Sequence, residues 1–161
     1  MPQGQAFKSR IMDEKDRQLL LLLQKDGRES LTVLARKIGL SVDSAKKRIE
    51  VLQEKGIIFK IAAWINPRAL DYKLIVDCKI KLHNITQEEI QDFIQYLNGN
   101  KNVIDLLQIM GDYDITCVII AKDANEYDIV STKIRQKYSK IIADWKSMLI
   151  LRTIKFEEYQ L

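Results

Sequence analysis

The chain is poor in the residues that most often carry chemistry. In 161 residues it has one histidine, His83, and two cysteines, Cys78 and Cys117. One imidazole and two isolated thiols make no metal-ligand cluster, which needs several such groups at close spacing. No nucleophile–base pair and no phosphate-cradling glycine loop can be read from the sequence, so neither a catalytic site nor a cofactor or metal is expected. Both cysteines lie in apolar, strand-like runs. That is the pattern of buried free thiols in a reducing compartment, with a disulfide left open as the alternative. Apolar runs stop short of the ~18 residues that span a bilayer, and the leucines from Leu19 to Leu23 are flanked by charges, as in a buried helix. The N-terminal stretch MPQGQAFKSR has no apolar core of a secretory signal, so a cytoplasmic protein without membrane contact is expected.

What is present has the balance of a globular protein, with 47% hydrophobic and 30% charged residues. The net charge of +4 is unevenly spread: residues 1–66 hold 13 Lys and Arg against 8 Asp and Glu, whereas residues 67–161 hold 13 against 14. A basic N-terminal half favours a polyanionic partner for that half.

The stretch that organises this half is SVDSAKKRIEVLQEK, Ser41 to Lys55. At 100° per residue Val42, Ala45, Ile49 and Leu52 fall on one side. Lys47 centres the other side, with Asp43, Ser44 and Glu50 around it and Lys46 and Arg48 on the flanks. Ser41 is a suitable N-cap and Gly56 a suitable stop. A helix that enters a major groove needs this arrangement, with short polar groups for base edges and flanking cations for phosphates. An ordinary amphipathic surface helix carries a charged outer face as well, so the neighbouring elements decide.

Residues 1–11 read as a flexible arm, a disordered tail by preference, with a DNA contact through Lys8 and Arg10 as the alternative. Asp13 caps a helix to about Lys25, closed by Asp26-Gly27. Ser30 caps a second helix, with Leu31, Leu34, Ala35 and Ile38 in one stripe, and Gly39 ends it. Two short helices joined by a glycine-containing turn form the helix-turn-helix pattern. Residues 57–65, IIFKIAAWI, read as an extended strand, a wing or a connector. Asn66-Pro67 breaks it. The expected organisation is a helix-turn-helix domain over 12–64, a hinge over 65–73 and a second domain over 74–155.

That second domain reads β-α-β-β-α-β. Leu74 to Leu82 alternates, with Val76, Cys78, Ile80 and Leu82 on one face. Thr86 and Glu89 form a capping box for a helix with Ile90, Phe93, Ile94 and Leu97 inward. Val103 to Met110 is a strand, Gly111-Asp112 a two-residue hairpin turn, and Tyr113 to Ala121 another strand. Asp123 and Glu126 offer a second capping box for a helix with Tyr127, Val130, Ile134 and Tyr138 inward. Ile141 to Ile154 is the last strand. The repeat of one β-α-β plan predicts a ferredoxin-like domain in an α+β protein. Its sheet has a face without helices, which predicts dimerisation through that face. Trp64, Tyr138 and Trp145 are expected in packing or interfaces, and His83 at a strand end on the surface.

A helix-turn-helix, with or without a wing, followed by a hinge and a βαββαβ domain resembles the Lrp/AsnC, or feast/famine, family of transcriptional regulators. The resemblance covers about residues 12–155. It is carried by Asp13-Glu-Lys-Asp-Arg17, Gln24-Lys-Asp-Gly-Arg28, Leu31 to Ser41, Lys47 to Ile57, Gly111-Asp-Tyr-Asp114 and Leu151-Arg-Thr-Ile154 in that order. It implies a homodimer, often assembled into an octamer, that binds pseudo-palindromic double-stranded DNA. It also implies a regulatory (RAM) domain in which a small molecule, commonly an amino acid, tunes assembly or DNA affinity at a site between subunits of adjacent dimers.

The expected DNA-binding residues are Thr32, Ser41, Ser44, Lys46, Lys47 and Arg48. Of these Ser44 and Lys47 face bases, while Lys46, Arg48 and Thr32 face phosphates. Asp43 is out of place on such a face. It either accepts from a cytosine amino group or offsets the positive helix N-terminus. The expected effector residues are Gly111, Asp112, Tyr113 and Asp114, because a glycine turn beside carboxylates offers N–H donors to a carboxylate and acceptors to an ammonium. A plain β-turn is the alternative there. Two other functions compete: an amino-acid sensor without DNA binding, which would have no need of cations along that helix, and a small ferredoxin-like enzyme, which lacks a convergent acid–base constellation.

Overall fold

The computed structural model describes residues 12–161, so the arm with Lys8 and Arg10 lies outside the described residues. The chain divides into two compact units, one reaching to Trp64 and including Lys155–Leu161, the other Ile65–Ile154.

The first unit holds three helices, α1 (Glu14–Lys25), α2 (Leu31–Ile38) and α3 (Val42–Glu54). Each begins where a side chain accepts from an orphan backbone N–H. Asp13 accepts from the Asp16 N–H, and the Asp16 carboxylate accepts from the Asp13 N–H in return. Ser30 and Ser41 do the same work for α2 and α3 through the N–H groups of Val33 and Ser44. α2 stops at Gly39, whose φ of 69° and ψ of 43° lie in the left-handed region where a Cβ is strained. The Lys15 ammonium donates to the last carbonyl of α2, that of Ile38. Leu19, Leu34, Ala35, Ile38 and Ala45 form the core, with Leu22, Leu23, Leu31, Leu40 and Ile49 half-buried around it. Ala45 is fully buried, so α3 approaches α1 and α2 with little side-chain bulk between them.

The expected strand over 57–65 is not formed, and no wing is present in the described chain. A strand exists only as a member of a ladder, and no edge among the described residues pairs with this segment. Its apolar side chains therefore stand exposed, Phe59 at 79% and Trp64 at 64%. The last residues return to the first unit. Phe156 meets Trp64 edge-on with ring centroids 3.8 Å apart. The Gln24 amide donates to the Tyr159 carbonyl at 3.0 Å and accepts from the Tyr159 N–H at 2.9 Å.

The second unit opens with a 3-10 turn at Pro67–Leu70, followed by β1 (Leu74–Leu82), α4 (Gln87–Asn98), β2 (Val103–Gln108), β3 (Ile115–Ala121), α5 (Ala124–Lys137) and β4 (Ile142–Leu149). The sheet is antiparallel throughout in the order β2-β3-β1-β4, the split βαβ arrangement. One face carries Val76, Cys78, Ile80, Cys117 and Ile119 into a core with Phe93 and Leu97 of α4 and Ile134 of α5. The alternation of β1 puts Ile75, Asp77, Lys79 and Lys81 on the opposite face, and register adds Thr116, Val118 and Ile120. There Thr116 donates to Asp77 at 2.6 Å and accepts from Lys79 at 3.0 Å, and Lys79 lies 3.0 Å from Asp77.

Three expectations need correction. The β2–β3 connection is a six-residue loop over 109–114, not a two-residue turn, and Ile109 donates its N–H to the Asp114 carbonyl at 2.9 Å across its base. The capping box of α4 forms, but α5 has only half of one. Asp123 accepts from the Glu126 N–H, while the Glu126 carboxylate turns to the Lys122 N–H and the Asn102 amide. β4 ends at Leu149; beyond it the Arg68 guanidinium donates to the carbonyls of Ile150 and Leu151 at 2.9 and 2.8 Å.

Phe93 is the largest fully buried side chain, set between the sheet and the Tyr138 ring. Phe93→Ala is expected to destabilise the protein by about 3–5 kcal/mol in urea unfolding followed by circular dichroism. A loss below about 1 kcal/mol would show that this core closes over the cavity.

Candidate functional site

Two places bring the expected functional residues together, the outer side of α3 and the loop over 109–114. On α3 the buried side is secured at several points while the outer side is exposed and has few partners, all on α3 itself or its N-cap. Ala45 and Leu52 are buried and Ile49 is half-buried, whereas Val42, on the same side, is 40% exposed at the helix start. Ser41, Asp43, Ser44, Lys46 and Lys47 are exposed. Ser41 donates its hydroxyl to Ser44 at 2.8 Å, so Ser44 keeps its own proton for an outside acceptor. Lys47 makes no hydrogen bond or ion pair among the described residues. Lys46 lies 3.8 Å from Glu50 one turn on, an exposed pair that costs little to exchange for a phosphate. Thr32 is exposed in the first turn of α2.

Arg48 is placed differently from the expectation of a free phosphate contact. Its Nη1 lies 2.6 Å from the Asp13 carboxylate and 2.7 Å from that of Asp16, and the side chain is only 31% exposed. It ties the middle of α3 to the start of α1. The backbone N–H of Asp16 and then the Arg48 guanidinium hold the Asp13 carboxyl below its ordinary value. The two carboxylates, Asp16 first, push the guanidinium up. The sequence carried no signal for this link, since the partners are 35 and 32 residues apart. Arg36 was also not singled out. It is exposed and stands one turn after Thr32 on α2, a spacing that could have found it.

In the loop, Asp114 serves the fold. Its N–H donates to the Ile80 carbonyl at 3.0 Å and its carboxylate accepts from the Leu82 N–H at 2.7 Å, which ties the loop to the end of β1. Tyr113 donates its hydroxyl to Asp144 at 3.1 Å, and that carboxylate raises the phenol above its ordinary value. Gly111 and Asp112 are exposed. Gly111 has a φ of 150°, and the space a Cβ would take is open. The backbone N–H groups of Gly111, Asp112 and Tyr113 donate to nothing in the described chain, and the Asp112 carboxylate accepts from nothing. Three adjacent donors beside a free carboxylate can receive an anion and a cation at once.

A three-helix unit with an exposed polar side on its third helix, joined to a ferredoxin-like domain, has the architecture of a helix-turn-helix transcriptional regulator with a ligand-binding domain. The AsnC-type helix-turn-helix domain matches residues 12–53, and the Lrp/AsnC ligand binding domain matches residues 75–159. The chain belongs to the Lrp/AsnC family of transcriptional regulators. It is 34% identical over 125 residues to the HTH-type transcriptional regulator LrpA of Pyrococcus horikoshii, covering 77% of this chain and 86% of that one. An AsnC family regulator from Agrobacterium tumefaciens superposes with a TM-score of 0.80 at 27% identity, over 92% of this chain and 97% of that one. A regulator of Neisseria meningitidis, solved as its L-Met complex, shares the fold at 21% identity with a TM-score of 0.77, over 91% and 94%. Among the described residues no helix is long and apolar enough to cross a membrane.

The depressed carboxyl of Asp13 has a consequence for acid stability. Its folded value lies below its unfolded one, so its contribution is complete above the ordinary value of 3.8 and is lost as the pH falls through the folded value. Asp13→Asn keeps a capping side chain and removes the charge. The variant's urea midpoint is expected to fall less than the wild type's between about pH 6 and about pH 3. The same acid limb in both proteins would show that the pair with Arg48 adds nothing to folding.

Proposed function

We propose that this regulator is a homodimer that reads pseudo-palindromic double-stranded DNA with α3 of each copy. Residues 12–64 form the DNA-binding part, 65–73 the hinge and 74–155 the part that binds effector and assembles, with dimers able to stack into octamers. Ser44 and Lys47 meet base edges. Lys46 meets phosphate on one flank, Thr32 and Arg36 meet it from α2, and Ser41 sets the helix start. Arg48 serves by fixing α3 on α1. Asp43 stands in the first turn of α3, where its charge offsets the helix N-terminus. The observation that carries this reading is the exposed and unpaired state of Lys47 between Ser44 and a flanking cation, on a helix whose other side is anchored. A sensor without DNA binding has no use for that side.

The dimer forms through the sheet face that α4 and α5 leave open. Leu107 and Met148, the register partners of Thr116 and Asp77, give that face its exposed apolar part, and the Asp77–Thr116–Lys79 cluster balances its own charge before a second copy covers it. The effector is a free amino acid, its carboxylate on the N–H groups of Gly111, Asp112 and Tyr113 and its ammonium on Asp112 and on groups from a neighbouring copy. Asp114 contributes by holding the loop to β1. The protein works in the cytoplasm, without enzymatic activity, cofactor or metal.

Lys47→Ala is expected to lower DNA affinity several-fold in a gel-shift titration while the circular dichroism spectrum stays that of the wild type. Unchanged affinity removes Lys47 from the interface. Asp112→Ala is expected to abolish the calorimetric heat of the amino acid that the wild type binds. An intact heat places the effector elsewhere.

A further inference from the structure

The register of the central strands sets the two cysteines directly opposite each other. Cys78 of β1 pairs with Cys117 of β3, and both are buried on the helix-covered face of the sheet, at 0% and 1% exposure. Directly opposed residues in an antiparallel pair have Cα atoms roughly 4.5–5.5 Å apart, within the roughly 4.4–6.8 Å that a disulfide spans. The two sulfurs therefore need only side-chain adjustment to meet. Both are free thiols.

Their surroundings differ from those of a structural thiol in an apolar core. The Tyr127 hydroxyl lies 3.4 Å from Cys78 Sγ and 2.6 Å from Ser147 Oγ. Trp145 Nε1 donates to the same Ser147 oxygen at 3.0 Å. Ser147 is exposed on the edge strand β4, so a chain of two hydroxyls runs from the surface to the buried sulfur. The Cys78 thiol itself points at the Val76 carbonyl at 3.8 Å, a weak partner. The Cys117 thiol beside it, then the hydroxyls of Tyr127 and Ser147, hold Cys78 below the ordinary thiol value against the effect of burial. Cys117 is pushed up by the same contact and by burial. Cys78 is the thiol that the hydroxyl chain reaches and is set to act as nucleophile, with Cys117 opposite it as the resolving partner.

We propose that Cys78 and Cys117 form an oxidisable couple, in which Cys78 reacts with hydrogen peroxide entering past Tyr127 and Ser147, and Cys117 closes the disulfide across β1 and β3. In the first step Cys78 gives its proton to water through the hydroxyl chain, and the thiolate attacks one peroxide oxygen. The S–O bond forms, the O–O bond breaks, and hydroxide leaves and takes up a proton, giving a sulfenic acid and water. In the second step the Cys117 sulfur attacks the sulfenyl sulfur. The S–S bond forms, the S–O bond breaks, and the oxygen leaves as a second water with the proton of Cys117. Two electrons pass from the two thiols to one peroxide, and a dithiol returns the couple to its reduced state by exchange. The cross-link lies two residues along each strand from Ile80 and Ile115, at the root of the loop over 109–114.

The test treats the full-length folded protein with hydrogen peroxide, blocks remaining thiols with an alkylating agent and maps the peptides without reduction. The expected result is a peptide pair joined through Cys78 and Cys117 within one chain, with the mass of two hydrogens lost and restored by dithiothreitol. In Cys117→Ser, a dimedone adduct is expected on Cys78. Tyr127→Phe is expected to slow disulfide formation several-fold without changing the linkage. Should the serine variant fail to fold, the wild-type map alone decides. Thiols that survive peroxide until the protein is denatured, or disulfides that join only different copies, overturn the proposal. An unchanged rate in Tyr127→Phe overturns the entry route.

Discussion

The Arg48 guanidinium, held between Asp13 and Asp16, ties the middle of α3 to the start of α1 in the DNA-binding unit. A recognition helix has two opposed requirements. Its outer side must stay free of internal partners, and its inner side must be fixed so that the free groups arrive in register. Ala45 and Leu52 supply burial on the inner side of α3, a driving force that is itself non-directional. Two charge-assisted hydrogen bonds from one nitrogen have direction. They end on the carboxylates of the α1 capping box, so the start of α1 and the middle of α3 are held as one piece. The Lys15 contact to the Ile38 carbonyl fixes the turn between α2 and α3 in the same way.

Much of this was legible in the sequence because it is local. Ser30, Ser41, Thr86 and Asp123 each cap the helix that follows, and Gly39 and Gly99 stand where α2 and α4 stop. The alternation of Leu74 to Leu82 gave β1 its ends and its faces. The misses are non-local. The run over 57–65 has every residue type of a strand, yet a strand also needs an edge to pair with, and composition says nothing of that. Gly111-Asp112 reads as a tight hairpin, but Asp114 bonds Ile80 through its N–H and Leu82 through one carboxylate oxygen, contacts to β1 that the order of residues does not show. Arg48 reads as one more cation on a basic helix, because nothing in the order of residues shows that Asp13 and Asp16 lie beside it.

The ligand-binding domain repeats the same economy of free and engaged groups. Tyr113 and Asp114 are tied to Asp144 and Leu82, whereas the backbone donors of Gly111, Asp112 and Tyr113 and the Asp112 carboxylate have no partner among the described residues. On the opposite side of the same central strands, the register that opposes Cys78 to Cys117 also aligns Asp77, Lys79 and Thr116 on the open face. One strand pair therefore carries a thiol couple inward and a charge-balanced patch outward. Both follow from side-chain alternation once the register is known, and neither is visible before it.

The central claim is that the outer side of α3 reads DNA as part of a two-fold assembly. Selection of bound duplexes from a random pool, with the full-length protein and with and without a panel of amino acids, tests it most directly. The account predicts an enriched pseudo-palindrome whose half-sites lie about one helical turn, or a multiple of it, apart. A pool that stays unenriched under every condition would contradict it and reduce the three-helix unit to a scaffold for the ligand-binding domain.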